Sequence, residues 1–479
     1  MTKYEQLAQE LKTRIAQGVW QAGDKLPSLR QTVADSGLSL MTVLNAYQLL
    51  ESQGVISAQA KSGYLVAPKP ELIARQGEAF RYPERQKPIY LSDSVDINEF
   101  VFNVLQASKQ ADIVPFGSGF PDPSLFPQQA LARSLVKVTR HMSPSFAADN
   151  LPPGNAGLRK AISQRYAKLG MSISPDEIII TSGAMEALNL SLATLTQAGD
   201  WVVIESPTFY GAMQAIERLK LRAIAVATDP QQGIDLEALA EVLKTYPVKA
   251  CWLMSQHQNP LGCSLSDAKK QALYQLLNEH KVSLIEDDVY QELYVDSSAP
   301  RPVKAFDTEG RVLHCGSFSK SLIAGYRVGW VSAGCHAPQL QRLQVMSTLS
   351  TSAPMQLAIA DFIQSAQYER HLKQLRKKLA SRKLAMYQLL CAHLPESVGV
   401  NFAQGGYFLW LALPSHMDAT QIYYQAIERG ISIAPGNLFS NQVEFRHFMR
   451  LNASYECSPE IVSAVVVLAE LIRNYSRRS

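Results

Sequence analysis

Ser317-Phe318-Ser319-Lys320, followed after four residues by Gly325-Tyr326-Arg327-Val328-Gly329-Trp330, decides how the rest of this chain is read. The apolar run before it, Val312-Leu313-His314-Cys315, predicts a short buried strand. That strand gives way to small hydroxylated residues, one lysine, and a glycine turn carrying one arginine. A lysine held at a rigid strand end can form a Schiff base with an aldehyde. Pyridoxal phosphate chemistry needs such a lysine, with the cofactor ring as electron sink. Ser317, Ser319 and Arg327 around it suit a phosphate, as hydroxyl donors beside a bidentate guanidinium. Most lysines are solvated surface groups. Lys320 stands apart because several distant segments fit the same cofactor.

From Val95 onward, helical patterns alternate with short β-rich runs: Glu177-Ile178-Ile179-Ile180, Trp201-Val202-Val203-Ile204, Ala250-Cys251-Trp252-Leu253-Met254 and Val282-Ser283-Leu284-Ile285. Continuous apolar strands spaced by helices predict a mainly parallel α/β sheet covered on both faces, with ligands at the carboxyl ends of its strands. The first run ends in Thr181-Ser182-Gly183-Ala184, small residues opening a helix whose free N–H groups suit a phosphate. The second ends in Pro207-Thr208-Phe209-Tyr210, where a ring either stacks on a planar cofactor or fills a core. The third ends in His257-Gln258-Asn259-Pro260-Leu261-Gly262, where Asn259 either donates to a ring oxygen or only forms the turn. The fourth ends in Glu286-Asp287-Asp288-Val289-Tyr290. Carboxylates placed there are costly to bury without a partner. A protonated pyridine nitrogen is one such partner and helix capping is the other use open to them. Tyr290 is suited to donate to a phenolic oxygen.

Bulk properties exclude other classes. The chain has 479 residues, 47% hydrophobic and 18% charged, an ordinary globular composition with length for about three domain-sized units. A net charge of +4 is too mild to argue by itself for nucleic acid. The cysteines at 251, 263, 315, 335, 391 and 457 are scattered without a C-x-x-C pair, so neither a disulfide framework nor a metal site is expected. No signal-like or membrane-length apolar run is present, and the stretch from Ile461 to Leu468 predicts a packed helix. The expectation is a reduced, cytoplasmic protein without membrane association.

Residues 1–67 read as a separate unit. Leu7, Leu11 and Ile15 fall at helical spacing and Gly18 stops that helix. Pro27-Ser28-Leu29-Arg30 opens a second helix with Val33 and Ala34 on its apolar face, and after Gly37 Ser39 caps a third from Met41 to about Gln53. Two helices joined by a glycine turn form a helix-turn-helix, the later one reading DNA. Val55-Ile56-Ser57, the turn at Lys61-Ser62-Gly63, and Tyr64-Leu65-Val66 predict a hairpin, or wing. This unit carries six Lys/Arg against five Asp/Glu. Residues 68–94, with Pro68, Pro70, Pro83 and Pro88 among charged residues, read as a semi-stiff linker.

Leu26-Pro27-Ser28-Leu29-Arg30, Ser39-x-x-Thr42-Val43, Leu50-x-x-x-Gly54 and the Lys61-Ser62-Gly63-Tyr64 wing resemble the GntR-type winged helix. The resemblance implies double-stranded DNA as partner, with Ser28, Arg30, Ser39, Thr42, Asn45, Lys61 and Gly63 as contact candidates. Leu40 stands where that family has an arginine, which implies one missing phosphate or base contact.

Residues 95–479 resemble fold-type I pyridoxal-phosphate aminotransferases of the aspartate aminotransferase class, a large domain with a mainly parallel sheet plus a small C-terminal α/β domain. The resemblance rests on Ser-x-Ser-Lys with Gly-x-Arg-x-Gly-Trp, Asn-Pro-x-Gly and Asp-x-x-Tyr. It implies Lys320 as the catalytic lysine and Asp287 as the pyridine-nitrogen partner. Asn259 and Tyr290 would hold the ring oxygen, and Phe209 would stack on the ring, with Tyr210 as the adjacent alternative. Ser182, Gly183, Ala184, Ser317 and Arg327 would form the phosphate cup. Gly405-Gly406-Tyr407-Phe408-Leu409-Trp410 and Phe448-Met449-Arg450-Leu451-Asn452 match small-domain motifs, which implies Arg450 as clamp for an effector or substrate α-carboxylate. Asp149 and Asn150 stand where the family has a tyrosine reaching the neighbouring subunit.

A GntR-type winged helix joined by a linker to an aminotransferase-like domain is the layout of the MocR family of transcriptional regulators. That resemblance implies a homodimer in which each reader crosses to the other subunit, an operator of two half-sites, and a small amino compound sensed as an aldimine at Lys320. An active aminotransferase with a fused DNA-binding domain is the alternative, since Lys320, Asp287 and Arg450 serve turnover equally. A third reading makes pyridoxal phosphate itself the signal.

Overall fold

The computed structural model describes residues 3–21, 23–52, 55–59, 63–66, 97–107, 110, 112–140, 151–295 and 299–476. The expected linker 68–94, Gly54, Lys61, Asp149 and Asn150 lie outside these residues.

The N-terminal unit consists of α1 (Lys3–Ala16), α2 (Leu29–Ser36), α3 (Leu40–Ser52) and an antiparallel hairpin of β1 (Ile56–Gln59) and β2 (Gly63–Val66). Leu7, Leu11 and Ile15 of α1 bury against Val43, Ala46, Tyr47 and Leu50 of α3, as their helical spacing demands. Ser28 caps α2 by accepting from Gln31 N, and Gly37 ends it in the left-handed region at φ 66°. One expectation fails here. Ala34 is exposed, and Thr32 takes the buried place on α2. The reason is a satisfied polar contact. The Tyr47 hydroxyl donates to the Pro27 carbonyl at 2.8 Å, so the Thr32 hydroxyl, 2.7 Å away, donates to Tyr47.

The second unit is built on an eight-stranded sheet. Its strands are β3 (Ile178–Thr181), β4 (Trp201–Ser206), β5 (Arg222–Asp229), β6 (Gly233–Ile234), β7 (Val248–Leu253), β8 (Ser283–Asp287), β9 (Val312–Ser317) and β10 (Gly329–Ser332). They lie in the order β3-β10-β9-β8-β7-β4-β5-β6. From β9 to β5 neighbours are parallel, and β10 runs antiparallel to both β9 and β3. The apolar runs are buried on both faces, as a parallel sheet under helices requires. Inserting β10 between β3 and β9 brings two loops together: the one after Thr181 and the one between Ser317 and Gly329. Sequence reading found β3, β4 and β7 to β9 but not β5, β6 or β10.

A four-stranded antiparallel sheet forms a smaller layer from β11 (Gly399–Asn401), β12 (Phe408–Ala412), β13 (Ala434–Pro435) and β14 (Phe448–Asn452), in the order β11-β12-β14-β13. The long helix Ala366–His393 and the C-terminal helix Pro459–Ser476 complete this part. Val465, Leu468 and Ala469 of the latter are fully buried, as a packed rather than membrane-bound helix should be. A parallel bridge between Val114–Pro115 and Ile431–Ser432 ties the stretch before Gly117 to this layer. Among the described residues no helix is long and apolar enough to cross a membrane, and no cluster of His, Cys, Asp and Glu suits a metal ion.

Candidate functional site

At the carboxyl ends of β3, β4, β7, β8 and β9 lies a cavity of about 280 Å³. Ala184, Phe209, Tyr210, Asn259, Asp287, Tyr290, Ser317, Lys320 and Arg327 all line it, together with Gly119, Phe120 and Ser319. A larger cavity of about 640 Å³ is walled by ion-paired side chains, Arg165, Glu292 and Arg376 among them. It brings no lysine and lone carboxylate together. The smaller cavity does.

Lys320 Nζ donates to the Gly119 carbonyl at 2.7 Å and lies 3.8 Å from the Phe120 ring centre. Burial pushes its pKa down to about 7, with Arg450 and Arg327 acting in the same direction and Asp287 opposing. An amine about half unprotonated at neutral pH is a nucleophile toward a carbonyl. Asp287 ends β8 with its Oδ1 buried and without a hydrogen-bond partner. Burial first, then the neighbouring Asp288, raise its pKa to about 7. An orphaned buried carboxyl oxygen facing a cavity suits a ligand N–H.

The opposite wall is electropositive. Arg327 adopts a left-handed backbone at φ 52° and donates from Nη2 to the Ser182 carbonyl at 3.1 Å. Its guanidinium lies flat against Gly183, where an added Cβ would stand 2.5 Å from Nη2. Gly183 has φ 89° and precedes the helix Ala184–Leu195, whose N-terminal N–H groups open toward the same place. Ser317 Oγ donates to Ser319 Oγ at 2.9 Å and accepts from Ser319 N at 3.0 Å. An arginine, hydroxyls and a helix N-terminus make a set of donors suited to a phosphate.

On the small-domain side, Arg450 is 1% exposed, in the middle of β14. Nη1 donates to Asn259 Oδ1 at 2.8 Å and Nη2 to the Gly117 carbonyl at 2.7 Å. The Phe408 and Phe439 rings lie 4.2 and 5.1 Å from its Cζ. Burial holds the Tyr290 phenol well above its ordinary range, against the pull of Arg450. Two neighbours carry no signal read from the sequence. Tyr407 donates to the Gly119 carbonyl at 2.9 Å, the same oxygen that Lys320 holds. Glu205, with its pKa raised to about 8 by burial, accepts from Met254 N at 2.9 Å behind Asp287. Tyr407 sits inside a quoted motif, which could have flagged it; Glu205 ends an ordinary apolar strand.

In the N-terminal unit Ser28 and Ser39 spend their hydroxyls as helix caps, accepting from Gln31 N and Thr42 N at 3.2 Å each. Arg30 and Gly63 are exposed, and Thr42 is half-buried. Asn45 lines a cavity of about 340 Å³ shared with Tyr294, Lys373 and Lys377, apart from the exposed residues.

Residues 111–464 match the aminotransferase class I and II family, and residues 3–66 match the bacterial regulatory proteins of the gntR family. The chain is 52% identical over 474 residues to the HTH-type transcriptional regulator YdcR of Escherichia coli (strain K12), covering 99% of each. To YjiR of the same organism, also an HTH-type transcriptional regulator, it is 34% identical over 476 residues, covering 98% of this chain and 99% of that one. The crystal structure of Pyrococcus horikoshii kynurenine aminotransferase, in complex with PMP, KYN as substrate and KYA as product, is similar with a TM-score of 0.73. Identity there is 29%, over 80% of this chain and 96% of that one. A class I and II aminotransferase fold implies pyridoxal phosphate, and the lone carboxyl oxygen, the low-pKa lysine and the cup of donors fit it. Both halves and their order place this chain in the MocR-type family of HTH regulators, a gntR-family DNA-binding domain fused to an aminotransferase class I and II domain.

Proposed function

We propose that this protein is a DNA-binding transcriptional regulator that holds pyridoxal phosphate at Lys320 and senses a small amino compound there. The observation that carries the reading is one cavity shared by Lys320, Asp287, Asn259 and Arg327 in a chain that also bears a gntR-family reader. When bound, pyridoxal phosphate supplies an amine-reactive aldehyde and an electron-accepting ring. Lys320 offers the amine and Asp287 the carboxyl toward the ring nitrogen. Ser182, Gly183, Ala184, Ser317 and Arg327 hold the phosphate, Phe209 with Tyr210 beside it packs on the ring, and Asn259 and Tyr290 address its oxygen. Arg450 takes the carboxylate of the amino compound with its fork of donors.

The parts divide as reader 1–67, linker 68–94 and sensor 95–479. Ser28, Arg30, Ser39, Thr42, Asn45, Lys61 and Gly63 belong to the reading side, and two copies on two half-sites would match the resemblance to dimeric regulators. A switch follows only where the amino compound binds two arrangements of the chain unequally.

The test is the visible spectrum of the pyridoxal-phosphate-loaded protein, titrated with amino acids and amines while anisotropy follows operator DNA. A band that shifts with one class of compound and stays shifted, as DNA affinity changes over the same range, is expected. Release of keto acid with conversion to the pyridoxamine form would make the protein a transaminase instead. A band that survives Lys320→Ala, or none with added cofactor, overturns the assignment.

A further inference from the structure

Next to the candidate site, five buried side chains form one continuous hydrogen-bonded chain. The Trp330 indole Nε1 donates to the Tyr166 hydroxyl oxygen at 2.9 Å. That oxygen lies 2.7 Å from His314 Nδ1, and His314 Nε2 lies 3.1 Å from Asp288 Oδ2. Gln256 Nε2 donates to the same Oδ2 at 3.0 Å. Tyr166, His314 and Asp288 are each at most 2% exposed.

The direction of this chain follows from its end. Indole N–H can only donate. Tyr166 therefore accepts from Trp330 and has one useful place for its own proton, His314 Nδ1. Burial keeps the Tyr166 phenol far above its ordinary pKa, so the proton stays to be donated. With Nδ1 accepting, the neutral imidazole carries its proton on Nε2 and donates it to Asp288. Asp288 thus accepts at Oδ2 from two N–H groups, while its Oδ1 is buried without a partner. Two donors aimed at one carboxyl oxygen, with no acceptor at the other to take a proton, favour the ionised form.

We propose that Asp288 is a positioning residue for the cofactor site: the Trp330–Tyr166–His314 chain fixes it as an anion, and its charge keeps a proton on the Asp287–ring-nitrogen pair. The inference rests on reading the cavity as a pyridoxal phosphate site. Asp288 is the second cause, after burial, that raises Asp287 to a pKa of about 7. The other groups facing Asp287 leave this role to Asp288. Glu286 precedes Asp287 on β8 and so points to the opposite face of the sheet, where Val303 N, Lys304 N and the Ser255 hydroxyl hold it at 2.7, 2.9 and 2.5 Å. Glu205 and Cys315 are pushed toward their neutral forms by burial, and Lys320 acts in the opposite direction. A ring nitrogen that keeps its proton is the stronger electron sink.

The test titrates with pH the visible band of the cofactor-loaded full chain, with Lys320→Ala as control. A ring that loses its positive charge makes the conjugated lysine-linked nitrogen more basic, so the midpoint of the band moves up. Simple removal of a nearby anion would move it down, which separates the two effects. Asp288→Asn and His314→Leu should each raise the midpoint by about one pH unit, and Tyr166→Phe by part of that. His314→Gln, whose amide can accept from Tyr166 and donate to Asp288, should restore the wild-type midpoint. An unmoved or lowered midpoint in Asp288→Asn overturns the inference while leaving the cofactor assignment intact. Should that variant fail to fold, an unmoved midpoint in Tyr166→Phe does the same. A wild-type chain without the Lys320-dependent band removes the cofactor reading and this inference with it.

Discussion

Arg450 reaches from the small-domain sheet to the Gly117 carbonyl at 2.7 Å, while its other terminal nitrogen holds Asn259 Oδ1 at 2.8 Å. One guanidinium therefore ties together the short segment before Phe120, the loop after β7 and the middle of β14. A ligand carboxylate competes for the same donors, and it is the better acceptor because it carries charge.

Arg450→Lys keeps the positive charge and loses the planar fork. Losing a bidentate, charge-assisted contact of this kind costs about 2 kcal/mol, roughly a thirtyfold weaker response to a carboxylate-bearing amino compound. Calorimetric titration of the cofactor-loaded protein measures it. Amines without a carboxylate should bind the variant and the wild type alike, and DNA affinity without effector should not change.

Gly183→Ala tests the phosphate cup. At φ 89° an alanine is strained, and its Cβ would stand 2.5 Å from Arg327 Nη2, so the guanidinium must leave its place. Cofactor affinity should fall by about a hundredfold, read by fluorescence titration with pyridoxal phosphate. The far-ultraviolet circular dichroism should be retained. Equal cofactor affinity in the variant would remove Arg327 from the cup.

Leu40 opens α3 and is 55% exposed, a large apolar side chain at the front of the reading helix. Leu40→Arg supplies the cation that the GntR pattern carries there. One added phosphate contact should steepen the dependence of log affinity on log salt by about 0.9. It should also strengthen operator binding several-fold at moderate salt, as anisotropy would show. An unchanged salt slope would mean that this end of α3 does not approach the backbone.

How far the site was legible depends on how local each signal is. Asp287 ends an apolar strand, and Lys320 and Asn259 lie in the short loops that follow one, so strand and reactive side chain are close in the sequence. Arg327 was legible only through its glycine-flanked motif, since β10, which delivers it beside Gly183, runs antiparallel between strands distant in the chain. The Gly119 carbonyl, held by Lys320 and Tyr407, had no signal at all, because a backbone oxygen has no residue type. Ala34 was expected in the buried place that Thr32 takes, because apolar periodicity cannot see that a hydroxyl is satisfied by Tyr47. That His314 and Asp288, on different segments of the chain, are hydrogen-bond partners becomes visible only when the fold closes.

Lys383 shows the same limit and gives a prediction in pH. It is 2% exposed on the helix Ala366–His393, and its amine donates to the Ala403 and Gly405 carbonyls at 2.7 and 2.8 Å. Burial alone lowers its pKa to about 7 from an ordinary 10.5. A neutral amine has two N–H groups, matching the two carbonyls. Between about pH 7 and 10.5 the unfolded chain binds this proton and the folded chain does not, so the group makes stability rise with pH across that window. Lys383→Met should flatten the rise by up to about 1.4 kcal/mol per pH unit, measured by denaturant unfolding at several pH values. Comparing the variant with the wild type cancels Lys320, whose pKa is similarly depressed. The loop it anchors runs directly into Tyr407, so the variant should also loosen the hold on Gly119 and weaken cofactor binding. A flat difference across the window would mean that Lys383 stays protonated in the fold, with its third N–H directed to a group other than these carbonyls.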